Sequence, residues 1–215
     1  MATIGVTDFY DKKFKELPFD GEWEKSFGHP EENFRVLIYG APKNGKTEFC
    51  IKLAKYLTNF KKVYYNSYEQ GISKSLLDAV KRNNMHEVTG KIIFGDRETF
   101  EQMKVRLSKK NSPGICFIDS LDYMKLTTDQ YQELIAKFPK KVFIIICWAK
   151  GSKPAKQAAL DIEFMVDVIV HIKNFRATVR SRFGGNEDFI VWDKKVAKQE
   201  PEVKQIDLFK AAQSA

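Results

Sequence analysis

Cysteine and histidine are scarce in this 215-residue chain, with three of each, and none of them cluster at the spacing of a zinc site. The odd cysteine count rules out a fully paired disulfide framework. Cys50, Cys116 and Cys147 each sit among apolar neighbours, which predicts buried free thiols in a reducing compartment. Long hydrophobic runs are also missing. None approaches the ~20 residues that a membrane helix needs, and the chain does not start with a charged segment followed by an apolar one. The expectation is a cytoplasmic protein with no membrane partner. No internal repeat or low-complexity segment is present, which excludes solenoid and fibrous architectures.

Hydrophobic residues make up 43% of the chain and aromatic residues 13%, enough to build a core. The formal charge is +8. Such a surface suits phosphate ligands, nucleic acid or another anionic partner, and it equally suits a merely solvated exterior. The length fits one domain with short extensions.

Residues 1–32 form an N-terminal extension, aromatic at Phe9, Tyr10, Phe14, Phe19 and Trp23 and charged between. It is expected to pack on its own domain, with a neighbouring subunit as the alternative. From residue 33 to 193 the pattern is regular. Apolar runs of strand length stand at Phe34–Tyr39, Val63–Asn66, Lys91–Phe94, Ile115–Ile118 and Val142–Cys147. Helical spacing separates them, over Thr47–Leu57, Ser73–Lys81, Arg97–Lys109 and Thr128–Phe138. That alternation predicts right-handed βαβ units, hence an α/β three-layer sandwich around a mainly parallel sheet. Three further strands, Asp167–Lys173, Phe175–Arg180 and Asp188–Trp192, follow one another through short turns and predict an antiparallel extension. Residues 194–215 are charged and read as a loosely held tail.

Between the first strand and the first helix stands Gly40-Ala41-Pro42-Lys43-Asn44-Gly45-Lys46-Thr47, a complete match to G-x-x-x-x-G-K-[ST] in the setting the motif requires. Backbone N–H groups of such a loop cradle phosphates, and the helix N-terminus adds partial positive charge. Lys46 is placed to reach the β- and γ-phosphates, Thr47 to ligate Mg²⁺, and Glu48 follows as part of the same nucleotide-binding stretch. ATP and Mg²⁺ are the expected ligands. Asp119 ends an apolar strand, at the sheet edge where ligands bind in such folds. It reads either as a metal-supporting carboxylate or as the cap of the next helix. Glu69 follows the second strand. If that strand lies beside the P-loop strand, Glu69 faces the γ-phosphate; otherwise it is a surface residue near a helix start.

In order, the P-loop, Tyr65–Glu69, the strand ending in Asp119-Ser120 and the late Arg180-Ser181-Arg182-Phe183-Gly184 resemble the core of RecA/RadA-like ATPases, over roughly residues 32 to 193. That family includes hexameric replicative helicases and compact phage ATPases linked to single-strand annealing. The segment Asp161–Ile172 also resembles the region upstream of the arginine element. The resemblance implies that Glu69 is the catalytic glutamate. It further implies that Arg180 and Arg182 reach a neighbouring subunit's γ-phosphate in a homo-oligomeric ring or filament. The alternative is that both arginines sit on one face of an exposed strand and meet solvent or nucleic acid.

Two features depart from the family pattern. The strand after Asp119 ends Ile146-Cys147-Trp148, without the polar γ-phosphate sensor the family carries there. The segment between Asp119 and that strand is also short for a long DNA-binding loop. The loop Lys150–Lys156 is basic and reads as flexible, and in the family this region faces nucleic acid. Trp148 reads as a base-stacking residue or as a packed core or interface residue. In the tail, Gln205-Ile206-Asp207-Leu208-Phe209 resembles the peptide with which bacterial replication and repair proteins dock on the sliding clamp, or else folds back on the domain.

These features predict a Mg-dependent ATPase in DNA recombination, repair or replication, with single-stranded DNA as a partner. The rival readings are a nucleic-acid-binding or annealing module with little turnover, a small-molecule kinase, and an adaptor that only tethers partners. A kinase is disfavoured by the lack of a clear arginine-bearing lid segment.

Overall fold

A computed structural model describes residues 3–193. The residues 194–215 read as a tail, with the clamp-like segment Gln205–Phe209, lie outside the described residues.

Each apolar run becomes a strand and each 3.6-periodic segment a helix. In chain order these are α1 (Val6–Tyr10), α2 (Gly21–Phe27), β1 (Arg35–Gly40), α3 (Lys46–Leu57), β2 (Val63–Ser67), α4 (Lys74–Arg82), β3 (Ile92–Asp96), α5 (Phe100–Ser108) and β4 (Ile115–Asp119). Then come α6 (Leu121–Met124), α7 (Thr128–Lys137), β5 (Val142–Lys150), β6 (Lys153–Pro154), α8 (Gln157–Glu163), β7 (Val168–Lys173), β8 (Arg176–Ser181) and β9 (Phe189–Ile190). Helix starts follow their local chemistry. Thr99 with Gln102, and Thr127 with Gln130, close full capping boxes before α5 and α7, and Ser73 caps α4.

The strands make one sheet in the order β3-β2-β4-β5-β1-β7-β8-β9, with β6 paired to β5. Strands β3 to β7 in that order are parallel, and β8, β9 and β6 are antiparallel additions. Alternation along the strands divides the core between the two faces. Val36 and Ile38 of β1 join α2, α3 and α4 on one face, around Phe27, Phe49, Leu53 and Leu76. Leu37 and Tyr39 join α5, α7 and α8 on the other, around Met103, Tyr131, Leu134 and Ile162. The result is a three-layer α/β sandwich with an antiparallel C-terminal extension, as expected. All three cysteines are buried and free. Among the described residues, no helix is long and apolar enough to cross a membrane.

Three features differ from the sequence-based expectation. Strand β2 is not beside the P-loop strand; it pairs with β3 and β4, and two strands separate it from β1. Strand order depends on crossovers, which no local pattern encodes. The stretch Lys150–Lys156 is not a flexible loop. It begins as a hairpin in which Lys150 faces Lys153 across Gly151-Ser152, with Gly151 at φ 66 and the Tyr39 hydroxyl donating to the Ser152 carbonyl at 3.2 Å. After it, α8 forms where no helix was expected.

The N-terminal stretch divides in two. Leu17, Phe19 and Phe27 are buried in the shared core, where Phe19 meets Phe27, Phe34, Tyr56 and Phe60. Before Leu17 the side chains are exposed, among them Phe9 and Phe14, which meet edge to face. Phe19→Ala is expected to lower unfolding free energy by about 3–5 kcal/mol, through lost burial and the cavity left behind. Phe9→Ala is expected to change it by no more than about 0.5 kcal/mol. Urea unfolding of the two variants checks both values.

Candidate functional site

The P-loop leaves β1 at Gly40 and enters α3 at Lys46. Gly45 takes φ 99, and a Cβ there would come 2.9 Å from the Phe175 ring, so both the turn and the neighbour require glycine. The loop is tied to the turn between β7 and β8. Asn44 accepts from the Asn174 N–H through its side chain (2.8 Å) and from the Phe175 N–H through its carbonyl (3.1 Å). Asn44 also donates to the Pro42 carbonyl at 3.1 Å. Lys46 folds back to donate to the carbonyls of Gly40 (2.7 Å) and Ala41 (3.2 Å). Ala41, Pro42 and Lys43 are exposed.

A cleft of about 460 Å³ opens against this loop, and Lys46, Thr47, Glu69, Asp119 and Gln70 all line it. Glu69 reaches it although β2 is remote from β1, because the segment after β2 is drawn across the end of β4. The N–H of Glu69 donates to the Asp119 carbonyl at 2.8 Å. The Thr47 hydroxyl accepts from Gln70 at 3.2 Å, and Gln70 in turn accepts from Ser75 at 2.7 Å. Thr47, Glu69 and Asp119 thus face one space, and none of the three is distant from the phosphate loop.

Asp119 is 5% exposed, and its carboxylate accepts from the Tyr65 hydroxyl at 2.7 Å. Burial raises its carboxyl from 3.8 to about 6; Tyr65 and Lys46 work against the rise, and Glu69 adds to it. Burial likewise lifts Tyr65 well above its ordinary value, so it stays a proton donor to Asp119. The alternative of Asp119 as a helix cap fails, since Ser120 holds the N-cap position of α6. Glu48 is 8% exposed, and its side chain is held by Arg82 (2.9 Å) and Asn83 (2.7 Å). What it can offer a phosphate is its backbone N–H, one of the free donors of the first helical turn.

Among the described residues, no three of His, Cys, Asp and Glu gather as a metal site. The Thr47 hydroxyl and the Asp119 carboxylate are oxygen donors in the cleft that a divalent cation would meet. Hard oxygen donors and few carboxylates fit magnesium.

Arg180 and Arg182 do not line the cleft of their own chain. Arg180 is exposed on β8 opposite Ile169, beside Tyr39. Arg182 lies 3.7 Å from Asp167 with its side chain 65% exposed. The rest of this element fastens the N-terminal helix. Ser181 donates to the Phe27 carbonyl at 2.7 Å, and the Phe183 carbonyl lies where a Cβ on Gly28 would stand.

Several cleft residues gave no local signal in the sequence. Arg82 comes from the end of α4, and its guanidinium lies 5.3 Å from the Trp192 ring. Phe175 and Trp192 meet edge to face at 6.1 Å beside the P-loop. Trp148, which the sequence does single out, is not among the cleft-lining residues; at the end of the buried part of β5 it donates through its indole N–H to Glu69 at 3.2 Å.

No protein-family model matches the sequence, and no curated protein matches it. Solved structures do. The flagellar accessory protein FlaH from Methanocaldococcus jannaschii superposes with a TM-score of 0.59 at 14% identity, over 81% of this chain and 92% of that one. The KaiC-like protein PH0186 from Pyrococcus horikoshii OT3 gives 0.57 at 16%, over 79% and 88%. This chain has a RecA-like P-loop fold. The ATPase domain of G40P agrees, at 0.54 and 17%, over 77% and 83%.

The raised Asp119 carboxyl makes a pH prediction for the chain without nucleotide or metal. A carboxyl that holds its proton more tightly when folded contributes fully below about pH 4, and the contribution is lost as pH rises through about 6. About two pH units at ~1.4 kcal/mol each give a loss on the order of 3 kcal/mol. Asp119→Asn should therefore gain stability relative to the natural chain between pH 4 and 7, as measured by denaturant unfolding across that range.

Proposed function

We propose that this chain is a Mg-dependent ATPase that hydrolyses ATP at an interface between subunits and acts in DNA recombination, repair or replication. The observation that carries the hydrolytic part is the cleft that gathers Lys46, Thr47, Glu69 and Asp119 against one P-loop. The assignment to DNA metabolism rests on the resemblance to RecA/RadA-like proteins.

In this reading the loop from Gly40 to Thr47 and the Glu48 N–H bind the phosphates. Lys46 gives up its contacts with the Gly40 and Ala41 carbonyls for phosphate oxygens. Thr47 and Asp119 would hold a magnesium ion, which would neutralise phosphate charge. Glu69 takes a proton from a water molecule whose oxygen bonds to the γ-phosphorus. The bond to the bridging oxygen breaks, and ADP leaves with that electron pair. Positioning and charge stabilisation supply most of the acceleration in such a reaction.

The cleft is completed by a neighbour. In support of this, Arg180, on β8, and Arg182, just after it, are exposed and lie off their own cleft. The basic hairpin with Lys150 and Lys153, followed by Lys156, offers phosphate contacts to single-stranded DNA without sequence preference. Docking of Gln205–Phe209 on a sliding clamp is a further part of the proposal that lies outside the described residues.

Lys46→Ala and the double variant Arg180→Ala/Arg182→Ala should each be inactive alone, the arginine loss costing about 10³-fold or more. Mixed, the two inactive chains should recover turnover, because a mixed interface joins one intact P-loop to one intact arginine pair. Steady-state ATP hydrolysis against protein concentration, with and without single-stranded DNA, checks this. A rate per subunit independent of both sinks the interface and DNA parts together.

A further inference from the structure

We propose that Trp148 is the positioning residue for the carboxylate of Glu69. The proposal rests on the ATPase reading above, in which Glu69 activates water.

Trp148 is itself held from two sides. Its backbone N–H donates to the Asp122 carboxylate at 2.7 Å, and the Tyr123 ring meets the indole edge to face at 5.2 Å and 85°. From that seat the indole N–H reaches Oε2 of Glu69 at 3.2 Å. An indole nitrogen only donates. It therefore supplies neither a base nor a ligand, and its one polar contribution is to hold an acceptor.

Glu69 is thereby anchored at both ends. Its backbone N–H is fixed to the Asp119 carbonyl at 2.8 Å, and its carboxylate is fixed by Trp148. A glutamate side chain has three rotatable bonds, and a base that must meet a water in line with phosphorus gains from losing that freedom beforehand. The indole occupies Oε2 and leaves Oε1 for the water. Each partner comes from a different strand end, Glu69 after β2 and Trp148 on β5, with β4 between them. Packing alone does not require the contact, since a phenylalanine would present a similar ring to Tyr123. The N–H is the part of the side chain that packing leaves unexplained.

The test compares Trp148→Phe, Glu69→Gln and the double variant in the full chain, by steady-state and single-turnover ATP hydrolysis and by titration with a fluorescent, non-hydrolysable ATP analogue. Trp148→Phe should lower kcat about tenfold, the rate equivalent of one hydrogen bond to a charged group, and leave analogue affinity within about twofold. In the Glu69→Gln background the same change should cost nothing further, because the carboxylate it positions is gone. Benzothienylalanine at position 148 keeps the shape of the indole but lacks the N–H. It should behave as Trp148→Phe does, which covers the case in which the phenylalanine variant fails to fold. A kcat within twofold of the natural chain in the benzothienylalanine variant overturns the proposal and leaves the ATPase reading standing. So does a loss that persists in the Glu69→Gln background. Full turnover in Glu69→Gln alone overturns both.

Discussion

A carboxyl group buried at the end of an apolar strand governs the arrangement of this molecule. Asp119 terminates β4 with its side chain 5% exposed, an expensive position for a charge. Tyr65, from the neighbouring strand, donates to that carboxylate. The main-chain oxygen of the same residue accepts the N–H of Glu69. One residue thus fastens the end of β2 to the end of β4 and turns the following segment toward the phosphate loop. Without it Glu69 would be a strand-end residue with two strands between it and the P-loop strand.

Burial and function pull against each other at that point. Burial raises this carboxyl to about 6, so it holds its proton to a higher pH than an exposed aspartate does. A nearby positive charge reverses that preference, as opposite charges do to any carboxylate. Lys46 already acts in this direction from across the cleft. A strained, ill-solvated charge of this kind is common where a site is built for an ionic ligand.

The layers and most strands were legible in the sequence because parallel strands buried on both faces leave continuous apolar runs, such as Val142–Cys147. The P-loop was legible because its glycines and lysine answer to local geometry. Strand order was not, and so the premise placing β2 beside β1 failed while Glu69 still reached the cleft. The hairpin at Gly151-Ser152 was read as loose from its lysines, although its ladder and the Tyr39 contact hold it. Arg82, Phe175 and Trp192 enter the cleft from segments remote in sequence, and only the folded sheet unites them. The strand after β4 lacks the polar sensor of the resembled family at its end. The Trp148 indole supplies a donor there, directed at a carboxylate.

The strand that carries Arg180 is anchored at both of its ends. Its start follows Asn174 and Phe175, which are bonded to Asn44 of the phosphate loop. Its end is pinned to the N-terminal helix through Ser181. Six residues of extended backbone span about 20 Å, and paired strands resist bending in the plane of their ladder. The β7–β8 ladder thus links the phosphate loop to α2, with no unpaired segment between the two anchors.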